Sequence, residues 1–207
     1  MTAGLTYFTT GFFLGLTGLI PGPLLTLVIS ETLKHGTKEG IKVAASPLIT
    51  DLPIILVTIL IMSRLSDTDF VLGSIAFTGS IFLIYLAFES FSFKGISPGL
   101  TNSQAHSMKK GIMANFLNPS PYVFWFTIGA PTIIKAFGES LISASLFMVV
   151  FYSVLIGSKV VIAIITGKSK SYLNSNYYLY LIRFLGVVLF LFALFFIKNG
   201  LAYFKII

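Results

Sequence analysis

Long apolar stretches alternate with short polar ones along the whole chain, and six of the apolar stretches are long enough to span a membrane. A helix needs about 20 mostly apolar residues to cross the hydrocarbon core of a bilayer. The six predicted spans are residues 5–32, 41–62, 70–91, 111–136, 141–166 and 178–198. Because no stretch remains for a soluble domain, the pattern predicts an all-α integral membrane protein with one transmembrane domain over residues 1–207.

Two of the predicted spans contain proline motifs that interrupt a continuous helix. A proline inside a helix removes a backbone hydrogen bond and clashes with the preceding turn, which costs about 3 kcal/mol. The first span holds Pro-Gly-Pro at 21–23, and the fourth holds Asn-Pro-Ser-Pro at 118–121. Proline fits well in the first turn of a helix. Each motif therefore predicts that its span is discontinuous and that a new half-helix begins within the membrane.

The two motifs also occupy equivalent places in the two halves of the chain. GLIPGPLLTLV is followed 98 residues later by NFLNPSPYVFW, and GSIFLIYLAFESF is followed 107 residues later by GVVLFLFALFFIK. We therefore predict two three-helix repeats, about 1–95 and about 108–207, with discontinuous first and fourth helices. An odd number of spans inverts the second repeat relative to the first. Inverted repeats with broken helices at corresponding positions are typical of secondary transporters, whose solute sites lie near the breaks.

Composition and charge support a membrane protein and suggest its orientation. Hydrophobic residues make up 56% of the chain and charged residues 10%, whereas soluble domains carry about 25% charged residues. The net charge is +7, and eight lysines lie in the loops after the first, third and fifth spans. The positive-inside rule places these loops in the cytoplasm and both termini outside. The lysines form no patch with interleaved aromatic residues, so nucleic-acid binding is not expected.

Little in the sequence indicates a cofactor, a metal centre or catalysis. The chain has no cysteine, which excludes disulfides and thiolate metal sites. Both histidines lie in predicted loops, and the spans hold no cluster of a nucleophile with a base. We therefore expect neither a cofactor nor a metal site, and no enzymatic activity.

Two ionisable residues lie well inside predicted spans. A carboxylate such as Asp51 costs about 2.5–3.5 kcal/mol at this depth, so it should face a cavity or a partner. It would serve as a proton or Na⁺ coupling site, as a counter-charge to a substrate ammonium, or as a polar anchor. Lys159 either forms an ion pair with Asp51 or extends to the membrane surface. Glu31 and Glu89 lie near the predicted cytoplasmic ends, where we expect them to be solvated.

Small and aromatic residues suggest how the spans pack. Gly11, Gly15 and Gly18 form a small-residue ridge on the first span, which predicts close packing against another helix. Most aromatic residues after the second break are expected to pack, and Trp125 is the candidate to line a solute pocket. The free N–H groups of a half-helix that begins at either break would attract an anion such as an amino-acid carboxylate.

Two stretches of the sequence resemble the signatures of LysE-type translocators, the lysine and threonine/homoserine exporter family. The first runs from Pro-Gly-Pro through a Gly-x-x-x-Gly step to an aspartate, and the second is Asn-x-x-Asn-Pro before aromatic residues. The matching positions are Pro21, Gly22, Pro23, Gly36, Gly40 and Asp51 in the first stretch, and Asn115, Asn118, Pro119 and Trp125 in the second. The chain departs from the pattern at Ser46, Pro47 and Thr50, where many members have glycines, and at 120–121, where a lysine is commoner.

The resemblance implies an exporter of amino acids or similar small zwitterions in the cytoplasmic (plasma) membrane, driven by a proton or sodium gradient. A cation or metal-ion permease of the same superfamily is the alternative. The oligomeric state, including a homodimer, stays open. The candidate solute site comprises the two breaks and their polar neighbours: Pro21, Gly22, Pro23, Asp51, Asn115, Asn118, Pro119, Ser120 and Trp125.

Overall fold

The computed structural model describes residues 2–20, 22–64, 68–92, 106–169 and 175–206, and this part of the chain is all-helical. Its α-helices, in chain order, are α1 (Thr2–Gly15), α2 (Pro23–His35), α3 (Thr37–Ala44), α4 (Pro47–Arg64), α5 (Thr68–Phe91), α6 (Ser107–Phe116), α7 (Pro119–Phe124), α8 (Ala130–Glu139), α9 (Leu141–Ser169) and α10 (Ser175–Tyr203). A 3₁₀ turn at Leu16–Leu19 extends α1, and a π-helical turn at Trp125–Gly129 joins α7 to α8.

Several of these helices could cross a membrane. Within the described ranges, four segments are long and apolar enough: Thr37–Thr58, Gly73–Phe91, Leu141–Ser169 and Ile182–Tyr203. The pair Gly4–Leu19 and Pro23–His35, bent by 60°, makes a fifth if it is counted as one broken span. The predicted span 111–136 is not among them, because it is divided among α6, α7 and α8. The protein is thus a multi-pass membrane protein, while six spans, one domain and the inverted repeat stay predictions.

Helices end and begin at both proline motifs. The 3₁₀ turn ends at Leu19 and α2 begins at Pro23, with Gly22 in an extended conformation between them. Helix α6 ends at Phe116, and α7 begins at Pro119. Pro21, which belongs to the first predicted break, lies outside the described residues. The discontinuity of the first and fourth predicted spans therefore follows from the placement of their prolines.

The second predicted span is also interrupted, which the sequence analysis did not anticipate. Helix α3 ends at Ala44 and α4 begins at Pro47. The Ser46 hydroxyl donates a hydrogen bond to the Val43 carbonyl at 2.8 Å, which satisfies an acceptor at the end of α3. Pro47 then occupies the first turn of α4, where its missing N–H costs nothing. This short break places Asp51 near the start of α4 instead of in the middle of a long helix.

Helix α1 packs closely against α9 along the glycine ridge, as predicted. A Cβ atom built on Gly11 would lie 2.8 Å from the Phe147 carbonyl oxygen, and one on Gly15 would lie 2.8 Å from that of Phe151. These distances are shorter than any real Cβ contact, so the backbones can approach only because both positions lack a side chain. The ridge fixes the first half-helix against α9.

An apolar core lies between α2, α5, α6 and α10. Its fully buried members include Leu27 and Val28 of α2 and Leu189 of α10, and Leu83 and Leu86 of α5 are 2% exposed. This apolar layer joins α2 to α5, α6 and α10.

The described ends of the helices fall into two groups. The C-terminal ends of α2 and α5 meet the start of α6 at one end, where Lys110 bonds to Glu89 at 2.7 Å. At the other end, Lys205 after α10 lies 3.8 Å from Asp69 of α5. Also at that end, Tyr7 of α1 donates a hydrogen bond to Glu139. Both chain termini are therefore near the end opposite the lysine-rich one.

The lysine-rich end contains a network of buried charges, which corrects the expectation that Glu31 and Glu89 are solvated. Glu31 is 0% exposed and accepts hydrogen bonds from Ser107 and, at 3.1 Å, from Lys110. Glu89 bonds to both Lys110 and Lys34, at 2.7 and 3.4 Å. Two carboxylates thus face two ammonium groups. The members of this network come from three different helices, α2, α5 and α6, so hydropathy along the chain could not reveal the pairing.

The charge of Lys110 is stabilised by this network. Burial alone would lower the pKa of its ammonium group, but the neighbouring Glu31 and Glu89 outweigh that effect and hold the pKa above its ordinary value. The group therefore stays protonated at neutral pH.

Replacing Gly15 with alanine should destabilise the protein. The new Cβ would lie 2.7 Å from Cβ of Val154, so α1 and α9 must move apart. Overpacking of this kind typically costs about 1–3 kcal/mol. Gly157→Ala on α9 is the matched control, because a Cβ there meets nothing within 4 Å. Thermal unfolding in detergent should show a lower midpoint for Gly15→Ala alone; equal midpoints would contradict the close approach.

Removing the Lys110 ammonium should also destabilise the protein. Lys110→Met leaves Glu31 fully buried without its cationic partner, and breaking a buried ion pair in this way costs about 3–5 kcal/mol. Lys42→Met is the control: its pair with Glu39 is exposed, and exposed pairs contribute about 0–1 kcal/mol. The same unfolding measurement should separate the two variants. A small effect of Lys110→Met would mean that the network is solvated.

Candidate functional site

A cavity of about 420 Å³ lies between the two helix breaks. This volume suits a small metabolite, because ligand pockets commonly enclose about 300–1,000 Å³. Of the predicted site, the residues that line the cavity are Gly22, Pro23, Asp51, Asn115, Asn118, Ser120 and Trp125. Pro119 is buried at the start of α7 and does not line it, and Pro21 is outside the described residues. The structure thus brings most of the predicted residues around one space, although their roles stay proposals.

Asp51 is held in place by hydrogen bonds from two other helices. It is 4% exposed, and its carboxylate accepts a hydrogen bond at 3.0 Å from the Asn115 side-chain amide of α6. The Tyr152 hydroxyl of α9 donates to its other oxygen at 3.2 Å. The same Asn115 amide donates to the Thr50 hydroxyl at 2.6 Å. A carboxylate that costs several kcal/mol to bury is thus oriented by donors, and none of the ion pairs among the described residues involves it.

Sequence reasoning missed Tyr152. It lies 101 residues from Asp51 in an apolar stretch with many aromatic residues, and a tyrosine there is compatible with simple packing. Its role depends on which face of α9 is turned to α4, which periodicity alone does not determine.

Aromatic rings form much of the cavity wall. The Phe124 and Phe151 rings stack with centroids 5.3 Å apart, and the Trp125 ring meets Phe151 edge-on at 5.6 Å. Trp125 is 1% exposed, so it both packs and borders the cavity. Helix α10 contributes three further lining residues that sequence analysis did not identify: Phe192, Phe195 and Phe196. Their spacing on one helical face resembles that of ordinary core residues, so the sequence carried no distinguishing signal.

The two helix N-termini at the breaks are not equivalent. Asn118 precedes α7, and its side-chain oxygen accepts a hydrogen bond from the Ser120 N–H at 3.0 Å. Helix α2 begins after Gly22, which has no side chain to cap it. The first N–H groups of a helix have no acceptor within the helix. Among the described residues, no side-chain hydrogen bond caps α2, so its N-terminus is open beside the cavity, whereas that of α7 is capped within its own segment.

Lys159 also lines the cavity, but in neither of the two ways expected. It is 6% exposed, so its ammonium group does not extend to the surface. Among the residues that the structure describes, no ion pair within 4.0 Å joins it to Asp51. Its hydrogen bond goes to the backbone carbonyl of Leu155, one turn earlier on α9, at 3.3 Å. The cavity therefore has a buried anion and a buried cation that do not bond directly to each other.

A group of side chains outside the cavity has the spacing of metal ligands. Glu31, His35 and Glu89 offer ligand atoms that lie within 4.8 Å of one another. However, Lys110 bonds to both of these carboxylates and Lys34 to one of them. The lysines already balance the two negative charges, so the group is a closed ion-pair network that needs no metal ion.

Comparison with known protein families identifies the chain. Residues 16–200 match the family model of the LysE type translocator, so the match spans both helix breaks, Asp51 and the cavity-lining part of α10. No curated protein and no solved structure gives a significant match. The match covers most of the chain, and the family consists of transporters, not enzymes. The protein therefore belongs to the LysE type translocator family.

Proposed function

We propose that this protein is a secondary transporter that exports amino acids or similar small zwitterions from the cytoplasm. One observation carries the proposal: a buried carboxylate and an open helix N-terminus border the same cavity within the membrane-spanning bundle. A carboxylate attracts an ammonium group, and a helix N-terminus attracts an anion. Both charges of a zwitterion thus have a complementary partner in one site. Membership of a translocator family supports the same function.

We propose that Asp51 couples transport to an ion gradient. It is the sole carboxylate among the described residues that line the cavity, and its hydrogen bonds from Asn115 and Tyr152 leave it without a bonded cation. A proton or Na⁺ could therefore bind there in exchange for the solute. A cation permease is less well supported, because hard divalent cations prefer six to eight oxygen ligands.

We propose that the structure is closed toward the lysine-rich end. Along α2, the cavity-lining Leu24 and Leu25 come first, the buried Leu27 and Val28 follow, and Glu31 lies beyond them. Along α6 the order is reversed: a residue of the ion-pair network comes first, a buried apolar residue follows, and a cavity-lining residue comes last. An apolar layer and then an ion-pair network thus separate the cavity from that end. Alternating access would require both layers to open.

Counterflow in proteoliposomes tests the proposed function. Vesicles loaded with an unlabelled amino acid should accumulate the same labelled amino acid, and vesicles without protein should not. A panel of amino acids and, separately, divalent cations should be compared. Flux of a divalent cation without flux of any amino acid would support the permease instead.

Replacing Asp51 with asparagine should abolish gradient-driven transport without unfolding the protein. The asparagine oxygen can still accept the hydrogen bond from Asn115, and its NH₂ group can donate to the Tyr152 hydroxyl oxygen, but the side chain no longer binds a proton or a cation. We expect concentrative export to fall to the background level while the thermal midpoint changes little. Asp69→Asn is the control, because this carboxylate is 44% exposed and its ion pair with Lys205 is exposed as well. Concentrative export by Asp51→Asn would contradict the coupling role.

The proposed orientation places the lysine-rich end in the cytoplasm and both termini outside. Because the chain has no cysteine, each single-cysteine variant reports one position. Lys38→Cys and Lys109→Cys should resist an impermeant maleimide in intact cells. Gly138→Cys, where an added Cβ has open space, should react. The opposite labelling pattern would show that the orientation is reversed.

A further inference from the structure

The ammonium group of Lys159 is buried and only partly satisfied. A lysine ammonium has three N–H donors, and the bond that the structure gives it is the 3.3 Å contact with the Leu155 carbonyl. Burying a charge without partners is costly. This side chain nevertheless borders the cavity instead of reaching water. The remaining donors are thus available to a ligand in the cavity.

Lys159 lies beside the first helix break. A Cβ built on Gly18, in the 3₁₀ turn that ends the first half-helix, would lie 3.0 Å from the Lys159 ammonium nitrogen. The second half-helix, α2, begins after the break with its N-terminus open, and its residues Gly22, Pro23 and Leu24 line the same cavity. The Lys159 ammonium group is positively charged, and the N–H groups at the start of α2 carry a partial positive charge. Both border the same cavity.

We propose that Lys159 and the open N-terminus of α2 together bind the carboxylate of the solute, opposite Asp51. This inference rests on the proposed transport of zwitterions and assigns the solute's two charges to separate parts of the cavity. Asp51 takes the ammonium group, and Lys159 takes the carboxylate. The absence of a direct ion pair between these two residues is what keeps both available to the solute.

The same geometry specifies the class of amino acid. Once Asp51 faces the α-ammonium, the described lining offers no second carboxylate for a cationic side chain. What remains is largely aromatic, with Phe124, Trp125 and Phe151 on one side and Phe192 and Phe196 on α10. A buried cation and aromatic rings favour an apolar side chain. The preferred solutes are therefore neutral amino acids with apolar side chains, not lysine or arginine.

Binding can be measured directly, because the protein has a single tryptophan and it borders the cavity. Leucine, leucine amide and lysine are titrated into purified protein in detergent, followed by Trp125 fluorescence and by calorimetry. Leucine amide keeps the ammonium group and the side chain but lacks the carboxylate. Charge-assisted hydrogen bonds are strong enough that leucine should bind at least about tenfold more tightly than the amide. Lysine should bind similarly weakly.

Lys159→Met should remove the preference for the carboxylate. The methionine fills similar volume without charge, so leucine should bind about as weakly as leucine amide. Lys135→Met is the control, because this lysine is exposed on α8 and does not line the cavity; its preference should equal that of the wild type. If Lys159 only supported the fold, its replacement would change the amount of folded protein but leave the ratio of the two affinities unchanged.

Failure of this inference is distinguishable from failure of the proposed function. Equal binding of leucine and its amide by the wild type, an unchanged ratio in Lys159→Met, or no binding by either method would overturn the carboxylate site. If leucine binds as expected but no amino acid shows counterflow, the site stands and transport does not. If amino acids show counterflow but the protein binds leucine and leucine amide equally, the proposed transport function stands and the proposed role of Lys159 does not.

Discussion

The structure depends on one constraint: a backbone N–H or C=O group inside a membrane must have a partner or face water. An unsatisfied group in hydrocarbon costs several kcal/mol. Each proline motif frees such groups, so the breaks must be covered by other parts of the protein. The close approach of Gly18, in the last turn before the first break, to the Leu155 carbonyl of α9 covers that break from one side. Asn118 satisfies a freed group at the second break itself. The cavity lies at the part of the two breaks that these contacts do not cover.

Local sequence signals predicted the features that depend on one segment. Prolines predicted both helix breaks, and glycines at helical spacing predicted close packing against another helix, which is α9. The features that were missed depend on pairing between distant segments. The burial of Glu31 requires Ser107 and Lys110 from another helix, and Tyr152 reaches Asp51 across 101 residues. A carboxylate near the end of a span looks solvated until its partners are known.

The number of spans and the shape of the site are two further features that local sequence signals did not predict. An apolar stretch of the right length predicts a span, but Pro119 and the π-helical turn at Trp125–Gly129 divide the fourth stretch into pieces. The two breaks looked alike in sequence because both contain proline. They differ in structure because an asparagine side chain can cap a helix and a glycine cannot. The sequence therefore predicted residues that border one cavity, but it did not show which of the two half-helices begins without a side-chain cap.

The contacts that hold the helices together are stronger at one end of the bundle than at the other, and this difference bears on the leakage of ions through the protein. One end is tied by four buried or half-buried charges with an apolar layer beneath them. Among the described residues, the other end has the exposed contact of Lys205 with Asp69 at 3.8 Å and the hydrogen bond from Tyr7 to Glu139. In the proposed orientation, the strongly tied end faces the cytoplasm. With the proposed coupling at Asp51, closure of that end would stop the coupling ion from crossing the membrane when no solute is bound.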